Sequence, residues 1–243
     1  YELTNNIEKL KLSEKYKEKE FNLIKKSHIS FYPSYVEVCE IKKSIENRDV
    51  RVLPAYLFED FTNNERDMKK TSDIMFVGGF QHTPNVDAVV WFVNNVWQKV
   101  NKFLPDLKFY IIGSNPPKEI KELESNNIVV TGYVTEDKLN EYYRKCRIAV
   151  IPLRYGAGVK GKVVEALFHQ IPIITTSVGA EGLEDAEKYM LIEDNYKKFA
   201  EKIIELYNNI GQLEELSKKG KKYCEKFFSF EKAKDALKEL FID

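Results

Sequence analysis

The chain is poor in sulfur and in histidine. Its 243 residues include three cysteines, Cys39, Cys146 and Cys224, and three histidines. The thiols stand far apart without CxxC spacing, which excludes a disulfide framework, and so few imidazoles leave no metal-ligand pattern. Such sparse, unpaired cysteine fits a reducing compartment. Net charge is missing as well, since 38 Lys and Arg balance 38 Asp and Glu. A protein that coats a duplex needs many uncompensated cations to displace counterions, so no nucleic-acid partner is expected. No apolar run approaches the roughly 18 residues of a membrane span. No signal-peptide core follows Tyr1, and the opening is expected to be the cut end of a longer protein. Neither a G-x-S-x-G elbow nor a Walker A loop occurs.

What is present fits a globular protein: 43% hydrophobic and 13% aromatic residues, in a chain longer than the roughly 150 residues of one domain. In residues 1–27, Leu3, Ile7, Leu10, Phe21 and Ile24 recur at helical spacing among charges, which predicts one or two amphipathic helices. The charge run Glu14–Glu20 reads as a solvated face. A strand at Ile29–Tyr32, a helix opened by Ser34 and a strand at Val50–Leu53 follow. Residues 59–72 are polar and without hydrophobic period, so a linker is expected there.

Beyond it the rhythm changes. Apolar strands at Ile74–Val77, Phe109–Ile112, Ile128–Thr131, Ile148–Pro152 and Ile171–Thr175 alternate with helices, and Tyr189–Ile192 reads as a last strand. A helix-poor loop is expected through Gly179–Gly182, then helices at Asn195–Asn208 and Gln212–Phe228. The aromatic cluster Phe227-Phe228-Ser229-Phe230 reads as core, or as a dock onto another domain. The pattern predicts an α/β fold, a Rossmann-like doubly wound parallel sheet with an N-terminal helical and βαβ extension.

In such a sheet ligands bind beyond the carboxyl ends of the strands. There the sequence places Gly78-Gly79, with His82 nearby, then Gly113, then Gly132-Tyr133. Each glycine alone is an ordinary turn residue; together they would share one rim. The densest segment runs from Arg154 through Gly156, Ala157, Gly158, Lys160, Gly161 and Lys162 to Glu165. Its glycines free backbone N–H groups to face an anion, its lysines add positive charge, and the helix that follows points its positive end the same way. Glu165, about one turn in, can accept bonds from ligand hydroxyls. A diphosphate carrying a diol suits this arrangement. The plainer reading is a surface loop with an i,i+3 Lys162–Glu165 pair. Glu181 ends a loop on the same rim and either touches hydroxyls or faces water.

The stretches FVGGFQHTPNVDAVVWF, FYIIGS, IVVTGYV and IPLRYGAGVKGKVVEALFHQIPIITTSVGAEGL resemble, in order and spacing, the C-terminal domain of group 1 (family four) glycosyltransferases. The resemblance covers roughly residues 73–243 and implies a GT-B architecture, in which this domain holds a nucleotide-sugar donor. It implies a retaining, metal-independent transfer with no cofactor beyond the donor itself. Lys162, with Arg154 and Lys160, would neutralise the diphosphate. Glu165 would bind ribose, and Gly79, His82, Gly113, Gly132, Tyr133, Gly158 and Glu181 would line the donor site. Many members carry a second glutamate eight positions before the one matched by Glu165; here that position is Ala157.

Residues 1–58 resemble the tail of the partner N-terminal domain, most of which would lie outside this chain. The acceptor, a glycan or lipid-linked precursor, would bind there, and the chain alone would be inactive. A cytoplasmic setting, with room for peripheral contact at the inner membrane face, goes with the resemblance. Two rivals stay open: a non-catalytic nucleotide- or sugar-binding module of the same fold, and a different α/β enzyme using the same crevice.

Overall fold

The structure, a computed structural model of the chain, describes residues 7–61, 66–238 and 240. Leu3 and residues 62–65 of the expected linker fall outside them. The N-terminal charge-rich segment forms one helix, α1 (Ile7–Lys26), and Glu14–Glu20 is exposed as expected. Strands β1 (Ile29–Tyr32) and β2 (Asp49–Val52) pair in parallel, Ile29 opposite Asp49, with α2 (Tyr35–Ser44) between them. A small separate core of Ile24, Val38, Ile41, Ile45 and Val50 holds this unit together.

The connection to the main sheet is anchored rather than merely solvated. The Phe58 ring stacks on Phe168 with centroids 3.9 Å apart, and Met68, in a 3₁₀ turn capped by Asp67, is fully buried. Polar composition concealed that turn, and β3 (Ser72–Val77) starts two residues before the expected strand.

From β3 the chain alternates. Helix α3 (Thr83–Phe92), with Pro84 in its first turn, runs through a π-helical turn at Val93–Trp97 into α4 (Gln98–Phe103). Then come β4 (Phe109–Ile112), α5 (Lys118–Lys121), β5 (Ile128–Gly132), α6 (Glu136–Lys145) and β6 (Cys146–Ile151). Next are α7 (Gly161–Phe168), β7 (Ile173–Thr175), α8 (Ser177–Ala180) and β8 (Leu191–Ile192). Helices α9 (Tyr196–Asn208), α10 (Ile210–Phe227) and α11 (Phe230–Lys238) close the chain.

The six strands β3–β8 form one parallel sheet in the order β5-β4-β3-β6-β7-β8. Apolar runs such as Ile74-Met75-Phe76 are buried, as strands covered on both faces require. The order grows outward from β3 in one direction, then returns to its other side with β6. That reversal opens a crevice between the carboxyl ends of β3 and β6.

Two expectations need correction. The loop through Gly179–Gly182 carries the short helix α8, because the Thr176 hydroxyl accepts a bond from the Gly179 N–H at 3.1 Å. The chain also does not end its helices at Phe228. Phe58 N donates to Phe228 O at 2.9 Å and Phe230 N donates to Phe58 O at 3.1 Å, after which α11 begins. The aromatic cluster thus fastens the C-terminal end to the connecting segment. All three cysteines are free thiols. Burial pushes the Cys146 thiol up to about 12.

The turns after β3 and β4 touch. A methyl group at Gly113 would lie 1.9 Å from the Gly78 carbonyl oxygen, whereas one at Gly79 would meet only Ser114 Oγ at 3.6 Å. Gly113→Ala should therefore cost about 3 kcal/mol, since backbone must move, and Gly79→Ala under about 1 kcal/mol. Urea denaturation of both variants checks the contrast.

Candidate functional site

Asn85, in the first turn of α3, is 3% exposed and uses both ends of its amide. Its Nδ2 donates to the Gly79 carbonyl at 2.7 Å, and its Oδ1 accepts from Lys162 Nζ at 2.7 Å. One side chain thereby joins the turn after β3 to the first turn of α7, across the crevice. Lys162 is half-buried, its ammonium 5.4 Å from the centre of the Phe76 ring. Burial pulls its pKa down to about 8; Glu165 opposes that shift and Lys160 adds to it.

Glu165 lies one turn further along α7. The Tyr143 hydroxyl of α6 donates to Glu165 Oε2 at 3.1 Å, while burial raises the carboxyl pKa. No ion pair joins Glu165 to Lys162, so the plain i,i+3 reading does not hold. Tyr143 stacks on His169 with centroids 4.1 Å apart, and burial lowers the imidazole pKa to about 4. Between α6 and α7 a cavity of about 870 Å³ is lined by Tyr143, Glu165, Phe168, His169, Arg66 and Arg144, among others. Arg66 donates to the Tyr143 carbonyl and, through its other nitrogen, to that of Cys146, which places positive charge at the carboxyl end of α6.

The other expected cations already have acidic partners. Arg154 grips Asp87 with Nε 2.9 Å from Oδ2 and a second bond to Oδ1. Lys160 Nζ lies 3.0 Å from Glu181 Oε2 and also bonds the Gly158 carbonyl. Of the three, Lys162 alone has no carboxylate partner among the described residues; its hydrogen bond goes to the neutral Asn85 amide. Gly79, Gly113 and Gly132 do share one rim, Gly113 N donating to Gly132 O at 3.1 Å. Gly132 has φ +68° with open space at its Cβ position. His82 sits at the N-cap of α3 without a side-chain cap bond, and Tyr133 is 77% exposed. Ala157 is exposed as well. No group of three His, Cys, Asp or Glu side chains that could hold a metal ion occurs among the described residues.

Asn85, Asp87 and Tyr143 were not legible as site residues. An asparagine near a helix start reads as a cap, and nothing local signals that its amide reaches a lysine 77 positions away.

A Rossmann-ordered parallel sheet with a polar, lysine-bearing crevice at its switch point defines an α/β domain suited to anionic ligands. The family model described as "Glycosyl transferases group 1" matches residues 71–209, more than half of the chain. The chain belongs to the group 1 glycosyltransferases. An uncharacterized 44.6 kDa protein in the cps region of Klebsiella pneumoniae is 28% identical over 153 residues, 60% of this chain and 39% of the relative. An uncharacterized glycosyltransferase of Methanocaldococcus jannaschii is 28% identical over 177 residues, 69% and 47% respectively. The matches thus span less than half the length of these relatives.

Among solved structures, S. aureus TarM, in complex with fondaparinux, alpha-GlcNAc-glycerol and UDP, superposes with TM-score 0.76 at 17% identity, over 94% of this chain and 47% of that one. Anabaena HepE, in complex with UDP and glucose, gives 0.68 at 10% identity, over 88% and 62%. These likenesses carry the fold, GT-B.

The depressed His169 pKa has a consequence for stability. The unfolded imidazole takes up its proton near 6.5 and the native one near 4, so stability falls as pH drops between those values. His169→Phe should lose less stability than the unaltered chain between pH 7 and pH 4.5, as urea midpoints would report.

Proposed function

We propose that the chain is the donor-binding domain of a retaining, metal-independent glycosyltransferase and takes a nucleoside-diphosphate sugar. The observation that carries the reading is the half-buried Lys162 ammonium, held by a neutral amide beside Gly79 at the switch point, with Glu165 one turn on. An ammonium that is partly desolvated and not ion-paired binds an incoming anion strongly, because little must be displaced. The N–H groups opening α7 face the same place.

In this reading the sugar's anomeric C–O bond breaks and the electron pair leaves with the nucleoside diphosphate. Lys162 stabilises the charge growing on that leaving group. Arg154 and Lys160 assist only by leaving Asp87 and Glu181. Glu165 accepts bonds from the ribose hydroxyls, the rim of Gly79, Gly113 and Gly132 admits the ligand to the backbone, and Tyr133 offers a face to the base. His82 stands at the same mouth. Residues 1–58 are the end of an acceptor domain, 59–72 the linker and 73–243 the donor domain. The acceptor is a glycan or a lipid-linked glycan, met in the cytoplasm or at the inner membrane face. No helix among the described residues is long and apolar enough to cross a membrane. A second reading, a binding module without transfer, takes its support from Ala157, which leaves the loop without an acidic side chain.

Calorimetric titration of UDP, GDP and ADP should give saturable binding of at least one. Lys162→Ala should weaken that nucleotide about tenfold or more and leave the bare nucleoside unchanged. Equal loss for both would remove the diphosphate role.

The sign of the pH dependence follows from the lysine. The anion binds the ammonium form, so affinity should be full below about 8 and decline as pH rises through it. A titration from pH 6.5 to 9.5 tests this, and Lys162→Ala should flatten the decline.

A further inference from the structure

The Ser34…Glu37 pair has the spacing of a helix cap, but its geometry leaves the carboxylate with something else to do. Glu37 N donates to Ser34 Oγ at 3.2 Å, which is the ordinary N-cap bond of α2. In a capping box the glutamate then turns back to the N-cap N–H. Here it accepts instead from the Ser34 hydroxyl, at 2.8 Å through Oε2. The carboxylate lies against the glycine-rich loop of the other unit: a methyl group added at Gly158 would sit 3.6 Å from Oε1 and 3.9 Å from Oε2. Oε1 has no hydrogen-bond partner among the described residues, and no ion pair joins Glu37 to a cation there.

The same contact is built from both sides. Gly182 has φ +82°, and a methyl group there would lie 3.2 Å from Ser34 Cβ. At Gly161 it would lie 2.7 Å from the Tyr56 ring. The N-terminal unit thus packs against Gly158 and Gly161 and against Gly182 of the neighbouring turn, and presents one half-buried carboxylate to the loop.

The chemistry of the loop is one-sided. Between Arg154 and Lys162 every charged side chain is a cation, and the freed backbone contributes N–H donors, a set that suits phosphate oxygens. Sugar hydroxyls also need acceptors. Glu181, the acidic side chain on the same rim, is taken by Lys160. We propose that Glu37 binds the sugar moiety of the donor, accepting hydrogen bonds from its hydroxyls across the Gly156–Lys160 loop. It is a specificity-determining residue contributed by the N-terminal unit. The assignment rests on the donor-binding reading above, and it names which part of the donor this residue recognises. Charge argues for the sugar rather than the diphosphate, because a carboxylate repels the latter.

The test compares each nucleotide sugar with its own nucleoside diphosphate. UDP-glucose, GDP-mannose and ADP-glucose, and then UDP, GDP and ADP, are titrated into the unaltered chain, Glu37→Gln and Lys162→Ala. Glu37→Gln retains the acceptor for Ser34 while removing the charge. It should weaken the preferred nucleotide sugar about tenfold and leave the matching diphosphate within about twofold. Lys162→Ala should weaken both. An unchanged melting temperature for Glu37→Gln would separate this loss from a failed cap. If Glu37→Gln lowers sugar and diphosphate affinity equally, or leaves the affinity for the nucleotide sugar unchanged, the assignment to the sugar is overturned while donor binding stands. If the unaltered chain binds no nucleoside diphosphate at all, both readings fall together.

Discussion

Asn85 spans the crevice with a single amide, and the site depends on what its two ends do. Its donor end holds the carbonyl of Gly79 and its acceptor end holds the ammonium of Lys162. A carboxylate in that place would pair with the lysine and offset its charge; an apolar residue would leave the ammonium half-buried with no partner at all. A neutral amide keeps the charge positioned without cancelling it. The cost appears in the lowered lysine pKa: burial outweighs the opposing attraction of Glu165. On the proposed reading that imbalance serves the ligand, because the attraction is reserved for an incoming anion.

The remaining charges are arranged in the opposite way. Arg154 is matched to Asp87 and Lys160 to Glu181, so two of the three loop cations are already compensated. Side-chain exposure separates them: Lys160 is 10% exposed and Arg154 43%. The Arg154 pair is open to solvent and of small net worth, whereas the Lys160 pair is shielded on its cationic side. The loop is therefore fixed at Lys160, fixed again where Glu37 and Tyr56 cover Gly158 and Gly161, and loosely held at Arg154. Stiffness of that kind lowers the entropy lost when a ligand orders the site.

Much of the fold was legible from period and punctuation. The inner strands of the main sheet, being buried on both faces, read as short continuous apolar runs, and every strand was placed within about two residues, the usual error at element ends. The rim glycines and the Lys160–Glu165 segment were legible too, because strand ends followed by glycine carry a known geometric meaning. What could not be read were partners distant in sequence. Asn85, Asp87 and Tyr143 each act on a residue brought near only by the completed sheet. The buried turn at Met68 was hidden for a different reason: one methionine among polar neighbours carries no period. Helix α11 was missed because the Phe228–Phe230 bridge to Phe58, a non-local pairing, restarts the chain after α10.

The π-helical turn at Val93–Trp97 adds one residue beyond what a regular helix would use over the same rise. The residues before it and after it are therefore out of phase by roughly 100°, the angle one residue subtends. Yet Ala88, Val89 and Phe92 before the turn, Val96 and Trp97 within it and Val100 after it are all buried in the same core. The turn works as a phase corrector, letting one rod follow a twisted sheet without rotating its apolar face into water. It also means that chain length in this helix is not rigidly set by the rod's span. An inserted or deleted residue at this point could be absorbed by gaining or losing the bulge, leaving the Pro84–Asn85 end, and the amide it carries, where the crevice needs it.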